Sequence, residues 1–301
     1  MRVAIDSGPL KGGHSVRGIG AYTRELLKAL NLEGVDVFRE DLAKYDVVHF
    51  TSFKPLVVSL PFSKPANTKF VLTIYDLIPL IYPDHYPPGI KGRINFLINK
   101  FLIRKNVDAV ITISETSKKD ICRFLEVSPE KVHVIYLAPR SIFKPITNRQ
   151  SLMAVKKKYG LPGSFALYVG DINYNKNIPG LVAMCENAGI KLVIVGKQAK
   201  EVESMKFTHP ELKHLKGLNW LKVMRLGFVL DEDLVGIYNL ADVYVQPSFY
   251  EGFALPILEA EACGTWVVAS KIQAHVEIME KGRKYSWEKT ARETLKIYKN
   301  V

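Results

Sequence analysis

The chain has 301 residues, of which 48% are hydrophobic and 24% charged, a composition typical of a globular protein with one large core or two smaller ones. No run is long and apolar enough to cross a bilayer, and residues 1–6 predict a short strand rather than a signal peptide. The net charge of +12 fits general solubility, an anionic substrate such as a nucleotide diphosphate, or an anionic membrane surface. A nucleic-acid binder is disfavoured, because no helix-turn-helix, zinc-finger or aromatic RNA-binding signature accompanies the charge.

In chain order, short β-branched runs alternate with amphipathic ones, which predicts parallel sheets covered by helices. The first half contains strands at 2–5, 47–50, 69–74, 109–113 and 132–135, and helices at 21–30, 92–105 and 115–125. After a proline-containing break at 138–148, the second half contains a helix at 150–159 and strands at 165–169, 191–195, 225–228, 242–245 and 266–269. A final helix is predicted at 286–299.

These two similar halves predict two facing Rossmann-like domains. We expect an N-terminal domain over residues 1–140, a C-terminal domain over 141–285, and a helix over 286–301 that packs back toward the N-terminal domain.

The three cysteines Cys122, Cys185 and Cys263 lie far apart in apolar or helical contexts. Such an odd, scattered set argues against a disulfide framework and against a metal site. We therefore expect a cytoplasmic protein without a bound metal.

Two glutamates flank a strand-to-helix turn in the second half. Glu251 follows the strand at 242–245, and Glu259 falls in the next helix, for which Pro256 fits the first turn and Gly264 the end. The carboxyl ends of strands in open α/β sheets are where nucleotides bind. This loop is the main candidate for a ligand site.

A second strand–loop–helix precedes it. Gly170 ends the strand, and Lys176 and Asn177 open the helix. A lysine there can reach a diphosphate, with help from the N–H groups of the helix start, although a lysine in a loop is more often simply solvated.

The loop before the first helix contains Gly12, Gly13, Gly18 and Gly20, which would let the backbone approach a ligand closely. The spacing of the dinucleotide-binding fingerprint is absent, and a merely flexible loop is an equally good interpretation.

Several motifs in the same order resemble group 1 retaining glycosyltransferases, which have the GT-B fold. They are Arg17-Gly-Ile-Gly-Ala-Tyr-Thr23, Thr73-Ile-Tyr-Asp-Leu-Ile-Pro79, Ala109-Val-Ile-Thr-Ile-Ser114, Tyr168-Val-Gly170 with Lys176-Asn177, Arg225-Leu-Gly-Phe-Val229, Glu251-Gly-Phe-Ala-Leu-Pro-Ile-Leu-Glu259, Ala262-Cys-Gly-Thr265 and Val267-Val-Ala-Ser270.

The resemblance implies a nucleotide-sugar donor in the C-terminal domain. Glu259 would hold the ribose hydroxyls, Glu251 would face the transferred hexose, and Lys176 would neutralise charge on the leaving diphosphate. Asp76 would be a third catalytic candidate beside Lys176 and Glu251. Further donor contacts would come from residues of both domains, namely Gly18, Gly20, Tyr75, Gly170, Asn177, Phe228, Val229, Gly252, Phe253, Ala254 and Leu255. Neither a cofactor nor a metal is expected, since the nucleotide diphosphate sugar is the co-substrate.

The chain departs from the family pattern in several places. Asp171 and Asn175 occupy positions where relatives carry a phosphate-binding arginine, and Tyr75 replaces a histidine that contacts the donor sugar. Trp266 replaces a proline, and the segment that normally follows Ile278 is shortened, which would leave a sheet edge exposed or covered by the last helix.

The predicted function is retaining transfer of a hexose from a GDP- or UDP-sugar to a glycan or lipid-linked hydroxyl. The resemblance suggests GDP-mannose as one donor, but the sequence itself does not choose between GDP and UDP and does not identify the hexose. The departures support an alternative, a non-catalytic or weakly active relative that binds a nucleotide sugar or a protein partner.

The segment 88–105 mixes apolar residues with five bases: Lys91, Arg93, Lys100, Arg104 and Lys105. One interpretation is a surface helix with snorkelling bases. The other is a patch for anionic lipid, which fits a lipid-linked acceptor and peripheral contact with the inner face of the membrane.

Overall fold

The computed structural model describes residues 1–6, 8–11, 18–30, 41–205 and 207–301. Its strands are β1 Val3–Ile5, β2 Val47–Phe50, β3 Lys69–Thr73, β4 Ala109–Thr112, β5 Val132–Val134, β6 Ala166–Val169, β7 Leu192–Val195, β8 Val223–Gly227, β9 Val243–Gln246 and β10 Trp266–Ala269. Its α-helices are α1 Gly18–Leu30, α2 Ile78–Ile81, α3 Gly89–Asn106, α4 Glu115–Leu125, α5 Arg149–Tyr159, α6 Ile178–Asn187, α7 Lys197–Glu201, α8 Asp231–Leu240, α9 Leu255–Ala262, α10 Gln273–Lys281 and α11 Trp287–Asn300.

The chain divides into two compact units. The first contains Met1–Pro83, Pro87–Ala138 and Glu280–Val301, and the second contains Asp84–Tyr86 and Pro139–Met279. Each unit is built on a parallel sheet, so the prediction of two parallel-sheet α/β domains is confirmed.

The first unit carries the strands in the order β1-β2-β3-β4-β5 among its described residues. Its core forms from strands buried on both faces, such as Phe70 and Leu72 of β3 and Val110 of β4. Continuous apolar runs of this kind are expected where helices cover a parallel sheet on both sides.

Helix α11 is anchored in the first unit by polar contacts. The Tyr298 hydroxyl lies 2.6 Å from Nδ1 of His49 on β2, and Nε2 of His49 lies 2.7 Å from Oγ1 of Thr73. The Thr290 hydroxyl donates to the carbonyl of Tyr136 at 2.8 Å. These fully buried groups satisfy one another, as buried polar groups must to avoid a large desolvation cost.

The second sheet has the order β10-β9-β6-β7-β8. The chain moves from β6 through β7 to β8 on one side, then returns to β9 on the other side of β6. This reversal is a topological switch point, where neighbouring loops diverge and leave room for a ligand. The loops that follow β6 and β9 therefore stand at the preferred ligand site of this unit.

Strand β10 forms the outer edge of the second sheet. Trp266 at its start is 76% exposed, and Val268 on the same face is also exposed. Over the described ranges, none of the helices combines the length and apolar character needed to cross a membrane.

Candidate functional site

The two loops at the switch point are held together mainly by Asn175. Its carbonyl accepts the Phe249 N–H at 2.8 Å, its side-chain amide donates to the Tyr250 carbonyl at 3.0 Å, and its Oδ1 accepts the Tyr86 hydroxyl at 3.1 Å. Asn177 adds a donation to the Pro247 carbonyl at 3.1 Å. The residue that stands in place of an arginine thus joins the two loops.

Lys176 and Glu251 form a direct ion pair between these loops. The Lys176 ammonium donates to both carboxylate oxygens, at 2.8 and 2.7 Å. Oε1 of the buried Glu251 also accepts from Nε2 of Gln246 at 2.8 Å and from the Ser248 hydroxyl at 2.7 Å. Burial alone would raise the pKa of Glu251, but the Lys176 charge and the hydrogen bonds from Lys176 and Ser248 bring it below its usual value. Glu251 is therefore an ionised carboxylate with a fixed orientation.

Glu259 lies on α9 in a separate buried network. Arg140 donates to its Oε1 from Nε at 3.3 Å and from Nη2 at 3.2 Å, and the Tyr238 hydroxyl lies 3.4 Å from Oε2. Arg140 also forms an ion pair with Asp231. Burial raises the pKa of Glu259, and the Arg140 charge only partly opposes this effect. The predicted ribose-binding carboxylate thus has one oxygen held by an arginine and the other held more weakly.

The start of α9 offers backbone donors. Ala254, before the helix, has a left-handed backbone with φ of 78°, which non-glycine residues rarely adopt. The part of the chain that the structure describes provides no hydrogen-bond acceptor for the amides of Phe253, Ala254 and Leu255. Because the first amides of a helix attract anions, this turn is suited to bind phosphate or sugar oxygens.

The start of α6 has fewer backbone N–H groups available for an anion than its sequence suggested. Pro179 has no N–H, and the Gly180 amide donates to the side chain of Asn177 at 3.2 Å. Lys176 lies in a short 3₁₀ turn, Tyr174–Lys176, just before the helix rather than in its first turn. Fewer backbone N–H groups than expected are therefore available for an anion at this helix start, and the Lys176 side chain remains the candidate anion ligand.

Four further predicted residues lie in the second unit, at strand ends or in the loops that follow them. Phe228, directly after β8, is exposed, whereas the neighbouring Val229 is buried. Gly170 follows β6, and its carbonyl lies so close to Gly196 that a Cβ on Gly196 would be 2.2 Å away. Gly252 is buried within the loop after β9.

In the first unit, four predicted residues lie in two places. Gly18 and Gly20 belong to the first turn of α1, which begins three residues before the predicted start at residue 21. Tyr75 donates its hydroxyl to the Thr51 carbonyl at 2.7 Å, and Asp76 accepts the Ile78 N–H at 3.1 Å after β3. Gly12 and Gly13 lie outside the described residues.

Several residues that build the site were not singled out from the sequence for this role. They are Tyr86, Arg140, Tyr238, Gln246, Ser248 and His275. His275 is fully buried, with Nδ1 3.0 Å from the Ser270 carbonyl and no partner for Nε2 among the described residues. Burial lowers the pKa of His275, while the charge of Glu251 raises it. Ser248 lies in the loop that leads to Glu251, and nothing in the sequence around the others marked them.

Comparison with known proteins identifies two family profiles in the chain. Residues 154–299 match the profile described as glycosyl transferases group 1, and residues 37–138 match that of glycosyltransferase family 4. Serotype-specific mannosyltransferase WbdA of Escherichia coli is 28% identical over 247 residues, covering 78% of this chain and 30% of that protein. O-antigen chain mannosyltransferase B of Escherichia coli is 29% identical over 218 residues, covering 69% of this chain and 55% of that protein. The chain therefore spans only part of the length of these relatives.

Solved structures resemble the whole chain. HepE of Anabaena in complex with UDP-glucose has a TM-score of 0.66 at 20% identity, covering 92% of this chain and 82% of that one. Sucrose-phosphate synthase from Thermosynechococcus elongatus has a TM-score of 0.60 at 19% identity, covering 98% and 81%. These likenesses confirm the predicted GT-B fold.

Proposed function

Because the chain belongs to the group 1 glycosyltransferases, we propose that it transfers a hexose from a nucleotide diphosphate sugar to a sugar or lipid-linked hydroxyl, with retention of anomeric configuration. One observation carries the proposal. A lysine ammonium, a buried ionised glutamate and three backbone amides without an acceptor among the described residues meet in two linked loops at the switch point of the second sheet.

Lys176 and Glu251 would contact the diphosphate and the hexose of the nucleotide-sugar donor. A diphosphate oxygen can share the Lys176 ammonium, which stabilises the negative charge that grows on the leaving group. Glu251 then has carboxylate lone pairs available for hexose hydroxyls, while Gln246 and Ser248 keep it oriented. The amides of Phe253, Ala254 and Leu255 offer neutral donors beside it.

Glu259 is proposed to bind the ribose. A carboxylate can accept about four hydrogen bonds, so Arg140 on Oε1 leaves Oε2 able to accept a ribose hydroxyl in place of the long contact with Tyr238. Phe228 offers an exposed aromatic face for the nucleobase.

We propose GDP-mannose as the first donor to test, because WbdA and O-antigen chain mannosyltransferase B are named mannosyltransferases, with UDP-glucose as the alternative since HepE was solved with it. Glycan assembly in the cytoplasm fits these relatives and the free thiols of Cys122, Cys185 and Cys263. Neither a resident metal nor a cofactor is proposed, so chelators should leave the reaction intact.

A non-catalytic binder is the second candidate. It is favoured by one observation: Asn175, which stands where relatives carry a phosphate-binding arginine, joins the two loops instead of providing a charge for the diphosphate. Such a protein would bind a nucleotide sugar through Lys176 and the α9 amides without transferring the hexose.

Calorimetry with GDP- and UDP-sugars, followed by a transfer assay and determination of the product anomer, tests the proposal. We expect Lys176→Ala and Glu259→Ala each to weaken donor binding and turnover at least about tenfold. The matched control Lys191→Ala, at an exposed lysine of the same unit, should change neither. Full transfer by the Lys176→Ala, Glu259→Ala double variant would disprove the site, and tight donor binding without turnover would favour the binder.

A further inference from the structure

Helix α3 carries an apolar stripe on its solvent-facing side. Four large side chains are exposed there: Ile90 by 82%, Ile94 by 53%, Leu97 by 63% and Phe101 by 61%. At about 100° per residue, they fall within a sector of about 60° of the helix surface. A row of neighbouring exposed apolar side chains, unlike scattered single ones, marks an interaction surface.

The opposite side of α3 already holds the helix to its unit. Leu102 and Ile103 are buried in the core, and the Asn99 amide donates to the carbonyls of Lys54, Pro55 and Val57 at 3.2, 3.1 and 2.7 Å. The apolar stripe is therefore distinct from the side of α3 that packs into the core. It is a second face, with no function in folding the helix onto its unit.

Exposed bases border the stripe on both sides. At the helical spacing, Lys91 and Lys105 lie along one border, and Arg93 and Arg104 lie along the other. Residues 89–106 contain no Asp or Glu. Glu126, directly after α4, pairs with Lys100 at 2.6 Å and with Arg104 at 3.4 Å, whereas Lys91, Arg93 and Lys105 make no ion pair among the described residues.

We propose that this face of α3 docks on an anionic lipid surface. The apolar stripe would enter the boundary between headgroups and acyl chains, while the flanking bases extend to the lipid phosphates. Each base near such a surface strengthens binding by about 1 kcal/mol, which is about fivefold in affinity. The helix has 18 residues, enough for a long contact parallel to the surface.

Charge decides against a second copy of this chain as the occupant. Pairing two stripes would bring the basic borders of both copies together, and like charges at close range oppose association. An anionic bilayer meets both the apolar and the basic parts of the surface. The inference goes beyond the proposed function, since it needs neither donor nor turnover.

Cosedimentation with lipid vesicles tests the proposal. We expect the full chain to bind vesicles of phosphatidylcholine mixed with phosphatidylglycerol, to bind pure phosphatidylcholine much more weakly, and to be released by high salt. Leu97→Gln should lower binding at least about tenfold, because a buried leucine contributes about 1.5–3 kcal/mol. The triple variant Lys91→Gln, Arg93→Gln, Lys105→Gln should lower it about 100-fold.

Matched controls separate this face from the rest of the surface. Leu221→Gln makes the same change at a leucine that is 93% exposed in the second unit, and Lys191→Gln, Lys213→Gln, Lys216→Gln removes the same charge from exposed lysines there. Both controls should bind like the unaltered chain, and thermal melts should show all variants folded. The proposal is overturned if the unaltered chain ignores anionic vesicles at low salt, if Leu97→Gln binds as well as Leu221→Gln, or if Leu97→Gln instead abolishes a dimer. Loss of donor binding in Lys176→Ala would leave the vesicle result unchanged, so the two proposals fail separately.

Discussion

Replacing Lys176 with methionine removes the counter-charge of a buried carboxylate while keeping most of the side-chain volume. The ammonium lies 2.7 Å from Oε2 of Glu251, and the side chains are 21% and 5% exposed. At this distance and an effective dielectric constant of about 20, Coulomb's law gives an attraction of about 6 kcal/mol. Desolvation of both ions and the partial exposure of Lys176 offset much of it. We expect Lys176→Met to lower the free energy of unfolding by about 2–3 kcal/mol.

The pair can be isolated with a double-mutant cycle. Glu251→Gln should cost only about 1 kcal/mol, because the Lys176 ammonium can turn to water. The double variant should then be about 2 kcal/mol more stable than the sum of the single changes predicts. Denaturant unfolding followed by circular dichroism measures these values. The lowered pKa of Glu251 adds a pH test: its stabilisation is complete above the usual value of 4.5 and is lost as pH falls through the lowered pKa.

Lys158 and Asp233 provide the control cycle in the same unit. Their side chains lie 2.6 Å apart, but Lys158 is largely exposed, so solvent should screen this pair and leave it a much smaller coupling. If the coupling between Lys176 and Glu251 is no larger than that between Lys158 and Asp233, the reasoning from burial is refuted.

Other contacts give further predictions. Arg140→Met should destabilise the protein by about 2–4 kcal/mol in denaturant unfolding, since Glu259 stays buried without its partner; an unchanged midpoint would contradict this. Burial lowers the pKa of His49 from 6.5 to about 3, so the unfolded chain binds a proton that the folded chain does not, and stability is lost as pH falls from 6.5 toward 3. This loss should reach about 2 kcal/mol between pH 8 and pH 5, and His49→Gln should remove that part of the pH dependence in thermal melts. Ala254→Gly should stabilise the protein by up to about 1 kcal/mol, because glycine adopts the positive φ without strain; clear destabilisation would show that the Ala254 methyl group contributes packing.

Much of the fold could be predicted from apolar patterning. Helix α4 and strand β10 begin and end at the predicted residues, because a serine cap marks the helix and a short apolar run with two valines marks the strand. The predicted start of α1 is three residues too late, since Gly18 and Gly20 disfavour helix. Gly20 and the three residues after it are buried, and this packing overrides that preference. The short helices α2 and α7 have too few residues to show a period and were not predicted.

The site was only partly predictable. The alternation of strands and loops predicts that Lys176 and Glu251 lie at the same edge of the sheet. Their direct contact depends on the hydrogen bonds by which Asn175 joins the two loops, and the sequence does not show these. The contact of Arg140 with Glu259 joins residues 119 positions apart, and nothing local to the linker around Arg140 indicates a partner. Such pairings are set by topology, which sequence patterns specify only coarsely.

The anchoring of Tyr298 on His49 has a consequence for synthesis of the chain. These partners are 249 positions apart, and nearly all of the second unit, Pro139–Met279, is translated between them. On the ribosome, the second unit can fold as soon as its almost continuous stretch of chain has emerged. His49 on β2 can form its contact with Tyr298 only later, when α11 has been synthesised. The first unit is therefore completed after the second, and a nascent chain stopped at Met279 would contain every strand of the first sheet but lack α11 and the contact of Tyr298 with His49.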